Sequence, residues 1–170
     1  PRQLQAAGTV GDGLVGHPLF TPEYVREVAR PALERGAERA GRASPVRIAG
    51  YVTCSVGEDR DAARQAARAV VAFNSTVKTY RVIHRLHGFD DQAERIRELW
   101  RAGDFAKAVD AVPDEMLDTI ALAGTPDEVI RRFDERWAGV HDETLLWPPA
   151  FRGIEGVRAV VSNFASARTT

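Results

Sequence analysis

Apolar and polar positions change period along this chain, and the changes mark its elements. Residues 2–9 carry a helical pattern that Gly11-Asp12-Gly13 breaks, and Leu14-Val15-Gly16 reads as a short buried strand. Thr21-Pro22-Glu23 is a helix start: a hydroxyl cap, proline at the first helical position, then an acid favoured by the helix dipole. Tyr24, Val25, Val28, Ala32 and Leu33 share one face of that helix, which stops near Gly41 before a turn at Ser44-Pro45. Val46 to Val56 is the strongest strand in the chain. It is rich in β-branched residues, with apolar residues on both parities at its centre, which predicts burial on both faces as in a parallel sheet. Gly57 ends it.

A long helical region follows, with breaks near Asn74-Ser75, Gly88-Phe89-Asp90, Gly103-Asp104 and Pro113. Thr125-Pro126-Asp127-Glu128 is a capping box whose helix is predicted to run to about Ala138. His141 to Trp147 reads as a third strand closed by Pro148-Pro149, and a last helix is predicted over Ile154 to Ala165. Strands alternating with helices imply a parallel α/β sheet. Three strands are too few to close a barrel. The region 59–124 is an unusually long helical excursion between two strands, expected to pack at one end as an insertion in a single domain spanning 1–170.

Composition narrows the function. The chain is 44% hydrophobic and 28% charged, with net charge −1. No basic excess exists to track phosphates, which argues against nucleic acid as a partner. No apolar run approaches the roughly 18 residues that span a bilayer. The lone Cys54 excludes an internal disulfide and a cysteine-built zinc site, and fits a reducing cytoplasm. The first residue is not Met, and the opening residues read as the middle of a motif, so a longer parent protein is expected.

Four segments carry a family resemblance: PRQLQAAGTVGDGLVGH, TPEYVREVARPALERGAERAGR, the run from TYRVIHRLHGF to AVPDEMLDTIALAGTPDEVIRRF, and the late strand leading into LLWPP. Together they resemble the C-terminal part of the luciferase-like monooxygenase superfamily, and within it the coenzyme F420 (deazaflavin)-dependent oxidoreductases. Gly11-Asp12-Gly13 stands where the family more often has Ala-Asp-Gly. The resemblance implies an α/β fold: the C-terminal part of a TIM (β/α)8 barrel, about three strands with their helices and a helical insertion, opening on the sixth strand. It implies hydride transfer between F420 and a small organic molecule, or FMN-dependent monooxygenation as the alternative. It also implies a dimer, with much of the ring pocket on upstream strands. A further possibility is a non-catalytic piece completed by a missing N-terminal half-barrel or by a second copy.

Candidate chemistry follows from both sources. On the family template the cofactor phosphate is held just before and at the start of the first helix, which leaves Pro1, Arg2 and Gln3 as its edge here; unpaired helix amides favour an anion. His17 follows a predicted strand on the face where barrel enzymes react, so it is a candidate for cofactor phosphate, substrate or proton donation. Lys107 precedes Asp110 and Pro113 as in a sugar-phosphate branch of the family, making it a substrate-binding candidate; the loop HPLF lacks that branch's second Lys. His84 and His87 share a helical face at a spacing that metal sites use, but no third ligand is evident, and helix packing or capping at Gly88 is the simpler role. Cys54 is expected in the core unless it points to the barrel mouth. Trp100, Trp137 and Trp147 are expected to pack, with Trp147 placed to line the mouth, and Asp142-Glu143 reads as a solvated loop.

Overall fold

The computed structural model describes residues 2–167. Pro1 lies outside them. Helix α1 (Arg2–Val10) leads into β1 (Gly13–Val15). Helix α2 (Pro22–Tyr24) continues through a π turn at Val25–Ala29 into α3 (Arg30–Arg39). Its start is as predicted: Thr21 Oγ1 accepts the Tyr24 N–H at 3.1 Å. Strand β2 (Arg47–Val56) comes next. The helical region then comprises α4 (Arg60–Ser75), a 3₁₀ turn at Lys78–Tyr80, α5 (Arg81–Leu86), α6 (Asp90–Arg101), α7 (Phe105–Asp110) and α8 (Asp114–Ile120). After it come β3 (Leu122–Gly124), α9 (Pro126–Arg132) with a π turn at Phe133–Trp137, β4 (Glu143–Trp147), and α10 (Gly153–Ala167).

Every strand pairs with β2, and every pairing is parallel. Strand β1 aligns Val15 with Ala49, β4 aligns Leu145 with Tyr51 and Trp147 with Thr53, and β3 aligns Leu122 with Cys54. Strand β3 is a fourth strand, inside what the sequence pattern gave to the helical region. Its three residues are too few to show a period, and all three are buried.

Side chains alternate across a strand, so β2 has two faces of different fate. Ile48, Val52, Cys54 and Val56 point to the helical layer. There Val52, Cys54 and Val56 pack with Val129, Trp137 and Val160, and Ile48 with Val25, Leu33 and Val140. Ala49 and Tyr51 point the other way and are only half-buried. Two-sided burial holds only from Val52 to Val56, the stretch whose last three residues pair with β3. On the uncovered face Val15 is 66% exposed, Trp147 46% and Leu145 38%. This face grades from an Arg47–Glu143 ion pair (2.9 Å) at one end to the Tyr51–Trp147 edge contact (centroids 5.1 Å) at the other.

The helical region has its own core, in which Ala67, Val71, Ile96, Met116 and Leu117 pack together. Leu19, Tyr24 and Ala29 join the same cluster, so these helices sit against the loop after β1 and the helix that follows it. An ion network reinforces the join. The nearly buried Arg64 reaches Asp118 at 2.6 Å and Asp114 at 2.7 Å, Asp118 also receives Arg132 at 2.5 Å, and Arg136 pairs with Glu23 at 3.0 Å.

Candidate functional site

The site is built at the C-terminal end of β1. Helix α1 lies so close to α3 that two glycines form the contact. A Cβ on Gly8 would fall 2.0 Å from the Leu33 carbonyl oxygen, and one on Gly36 would fall 2.1 Å from that of Gln5. This contact fixes the start of α1. Arg2 and Gln3 there line a groove of about 730 Å³ with Leu14, Phe20, Tyr24, Thr79 and Tyr80. The first turn of α1 carries no acid. A cation and a side-chain amide at a helix start therefore line one mostly apolar groove, a composition suited to the anionic end of a larger organic ligand.

His17 stands beside it. Its Nδ1 accepts the Leu19 N–H at 3.2 Å, and its ring stacks on Tyr80 with centroids 3.9 Å apart and planes 24° apart. Burial lowers its pKa to about 4, so the ring is neutral near pH 7. With Nδ1 accepting, the proton is on Nε2. No described residue hydrogen-bonds Nε2, and it is not sealed away, so it is a free donor.

Other candidates lie elsewhere. Lys107 is on α7, exposed and paired with Asp104 at 3.2 Å; it does not line the groove. His84 is buried with Nε2 3.0 Å from Ser75 Oγ, and burial lowers its pKa to about 4. His87 is the C-cap residue of α5, next to Gly88, and its side chain bonds Thr21 Oγ1 at 2.8 Å, with Nε2 3.9 Å from Glu23, so it also ties the loop after β1 to α5. Among the described residues no three His, Cys, Asp or Glu side chains converge on a metal position. Cys54 points into the helical core and not to a mouth; burial pushes its thiol up to about 12. Trp137 is fully buried, Trp100 packs between Phe73 and Phe105, and Trp147 lies on the uncovered face.

Asp142 and Glu143 are both exposed, as expected, but each has a partner. Asp142 accepts the Ile48 N–H at 2.7 Å and Arg30 at 3.3 Å, which keeps its carboxyl below the usual range, while Glu143 pairs with Arg47. A larger groove of about 1110 Å³ lies between α9 and α10, but Glu58, Asp127, Asp134, Glu135 and Glu155 outnumber Arg131 and Arg152 along it, so it repels anions. Tyr80 and Thr79 escaped the sequence reading. Their only signal was a Thr-Tyr pair at a helix start, with nothing to connect it to His17 far upstream.

A parallel sheet backed by helices on one face and bare on the other, with the candidate site at the C-terminal end of β1, has the build of part of a TIM barrel. The luciferase-like monooxygenase family matches residues 1–142, and the chain belongs to it. It is 35% identical over 141 residues to a 5,10-methylenetetrahydromethanopterin reductase of Archaeoglobus fulgidus, covering 79% of this chain and 42% of that protein. The same enzyme of Methanopyrus kandleri is 35% identical over 137 residues, covering 79% and 38%. The solved coenzyme F420-dependent tetrahydromethanopterin reductase from Methanopyrus kandleri superposes with a TM-score of 0.73 at 31% identity, over 88% of this chain and 43% of that one. The chain thus spans less than half the length of these relatives.

Proposed function

We propose that this chain forms one wall of an F420-dependent oxidoreductase that transfers a hydride between the deazaflavin and a small organic substrate. The observation that carries the reading is the groove where Arg2 and Gln3, at the start of α1, meet Tyr80 beside His17. Its donor set fits the cofactor: Arg2, Gln3 and the first α1 amides would hold the phosphate, and His17 Nε2 would donate to an oxygen of cofactor or substrate. When bound, the deazaflavin supplies two-electron hydride chemistry. The residues of this chain bind, orient and exclude water. Similarity to the F420-dependent reductases supports the cofactor. Lys107 takes no part in this reading, because it faces solvent.

The bare face of Val15, Tyr51, Leu145 and Trp147 would be covered by the remaining strands of the barrel or by a second copy, since exposed strand edges and apolar faces invite association. A homodimer in the cytoplasm, as a single domain with the helices between β2 and β3 as an insertion, completes the proposal. No described helix is long and apolar enough to cross a membrane. The test is absorbance titration of the complete polypeptide with F420 and with FMN. Saturable F420 binding, weakened by Arg2→Ala, is expected. Tight uptake of FMN with none of F420 would replace hydride transfer by FMN-dependent monooxygenation.

A further inference from the structure

We propose that Tyr80 is the positioning residue of His17: its ring holds the imidazole as an Nε2–H donor aimed at an oxygen acceptor of the bound ligand. The proposal rests on His17 belonging to the site described above.

Two contacts fix the imidazole, and they do different work. The Leu19 N–H on Nδ1 comes from the histidine's own loop and selects the tautomer. Tyr80 comes from the turn between α4 and α5 and selects the ring plane, through a near-parallel stack at 3.9 Å. A histidine with only the first contact keeps its tautomer and loses its plane. The loop is otherwise held from its far end, where Thr21 bonds His87 of the same downstream segment. Loop and segment are thus joined at both ends, and the stack is the join that touches the candidate donor.

The Tyr80 ring, not its hydroxyl, carries this role. No described group hydrogen-bonds the hydroxyl, and burial keeps the phenol protonated. Tyr80 also lines the groove that holds Arg2 and Gln3. One side chain therefore sets His17 and walls the adjoining anion end, which couples the donor's direction to the shape of the groove. Burial alone accounts for the lowered pKa of His17; no charged side chain contributes. Part of that burial is the Tyr80 ring itself, so the titration of His17 reports the stack directly.

The test is ¹⁵N–¹H NMR of the His17 imidazole in the full chain, titrated with acid, in the native protein and in Tyr80→Phe and Tyr80→Ala. The native protein and Tyr80→Phe should show a protonated Nε2, a bare Nδ1 and a pKa near 4. Tyr80→Ala should move the pKa toward the free value of about 6.5 and, with the tautomer kept by Leu19, shift and broaden the Nε2–H signal as the ring plane is released. In the complete polypeptide Tyr80→Ala should lower F420 affinity about tenfold, the size of one oriented hydrogen bond, while Tyr80→Phe leaves it unchanged. If Tyr80→Ala does not fold, Tyr80→Leu keeps the bulk and removes the stack, and should still shift and broaden the Nε2–H signal. Unaltered His17 spectra without the aromatic ring would overturn the proposal, as would equal effects of Tyr80→Phe and Tyr80→Ala. His17→Asn separates the two readings: unchanged F420 affinity in that variant removes His17 from the site, whereas the spectra judge the Tyr80 stack on their own.

Discussion

Gly36→Ala tests the contact that places the start of α1. The added Cβ would lie 2.1 Å from the Gln5 carbonyl oxygen, and ordinary contact begins near 3.4 Å, so α1 must retreat by about 1.3 Å. The atoms met are helix backbone, which no rotamer change relieves. In an unobstructed helix the same substitution would stabilise the protein by about 1 kcal/mol, because alanine is the better helix former. Overpacking of a close contact costs about 1–3 kcal/mol. Backbone-on-backbone collision belongs at the upper end, so the net expectation is a loss of about 2 kcal/mol. For a chain of this size each kcal/mol moves Tm by roughly 2–4 °C, giving a fall of roughly 4–8 °C. Thermal melts, with urea unfolding at an unchanged m-value, measure it. Because Arg2 and Gln3 ride on α1, F420 affinity should fall in parallel. A Tm equal to or above that of the native chain would refute the close contact and the account of how the groove is placed.

Two further predictions follow from charge. His141 is buried without a hydrogen-bond partner, over Gly50, and burial lowers its pKa to about 4. Its folded pKa lies below the unfolded value of about 6.5, so its contribution is intact above 6.5 and is lost as pH falls toward 4; His141→Asn should flatten stability against pH in that window by up to about 1.4 kcal/mol per unit, and an unchanged slope would contradict the assignment. Asp118→Asn removes the anion shared by the nearly buried Arg64 and by Arg132, and should cost about 2–3 kcal/mol in urea unfolding, whereas a loss near zero would show the network to be solvated.

The elements whose sequence carries local physics were legible. Thr21 before Pro22 and the Thr125–Glu128 box cap the helices they announced, and β2 shows its strand in its β-branched residues. What failed was non-local. Strand β3 has three residues, and it is a strand only because β2 runs past the other strands and offers it Cys54 to Val56. Two-sided apolarity of β2 read as two-sided burial, but its own sequence cannot say that one face lacks a cover. In the candidate site, His17 was visible from its place after a strand. Its partner Tyr80 was not, since the stack exists only once the helices after β2 return to β1. Asp142 is the exposed loop carboxylate its sequence suggested, but its partners, the Ile48 amide and Arg30, were not legible because they belong to other elements.

Those partners bear on function through register. Slipping a strand by one residue exchanges its two faces. A slip in β4 would turn Trp147 from the uncovered face into the helical core. Three contacts at the start of β4 oppose this. Asp142 accepts the Ile48 N–H at 2.7 Å through its side chain, its own N–H donates to the Ile48 carbonyl at 2.9 Å, and the His141 ring occupies the space above Gly50. A Cβ on Gly50 would come 2.2 Å from that ring, so this β2 position admits only glycine and β4 has one seat beside it. The lock is at the strand N-termini, and the groups proposed for ligand binding are at the opposite ends. Stability and chemistry are thus separated along the strands, as in other barrels of this kind, and a substitution at His141 or Asp142 should lower stability without altering the Nε2–H donor of His17.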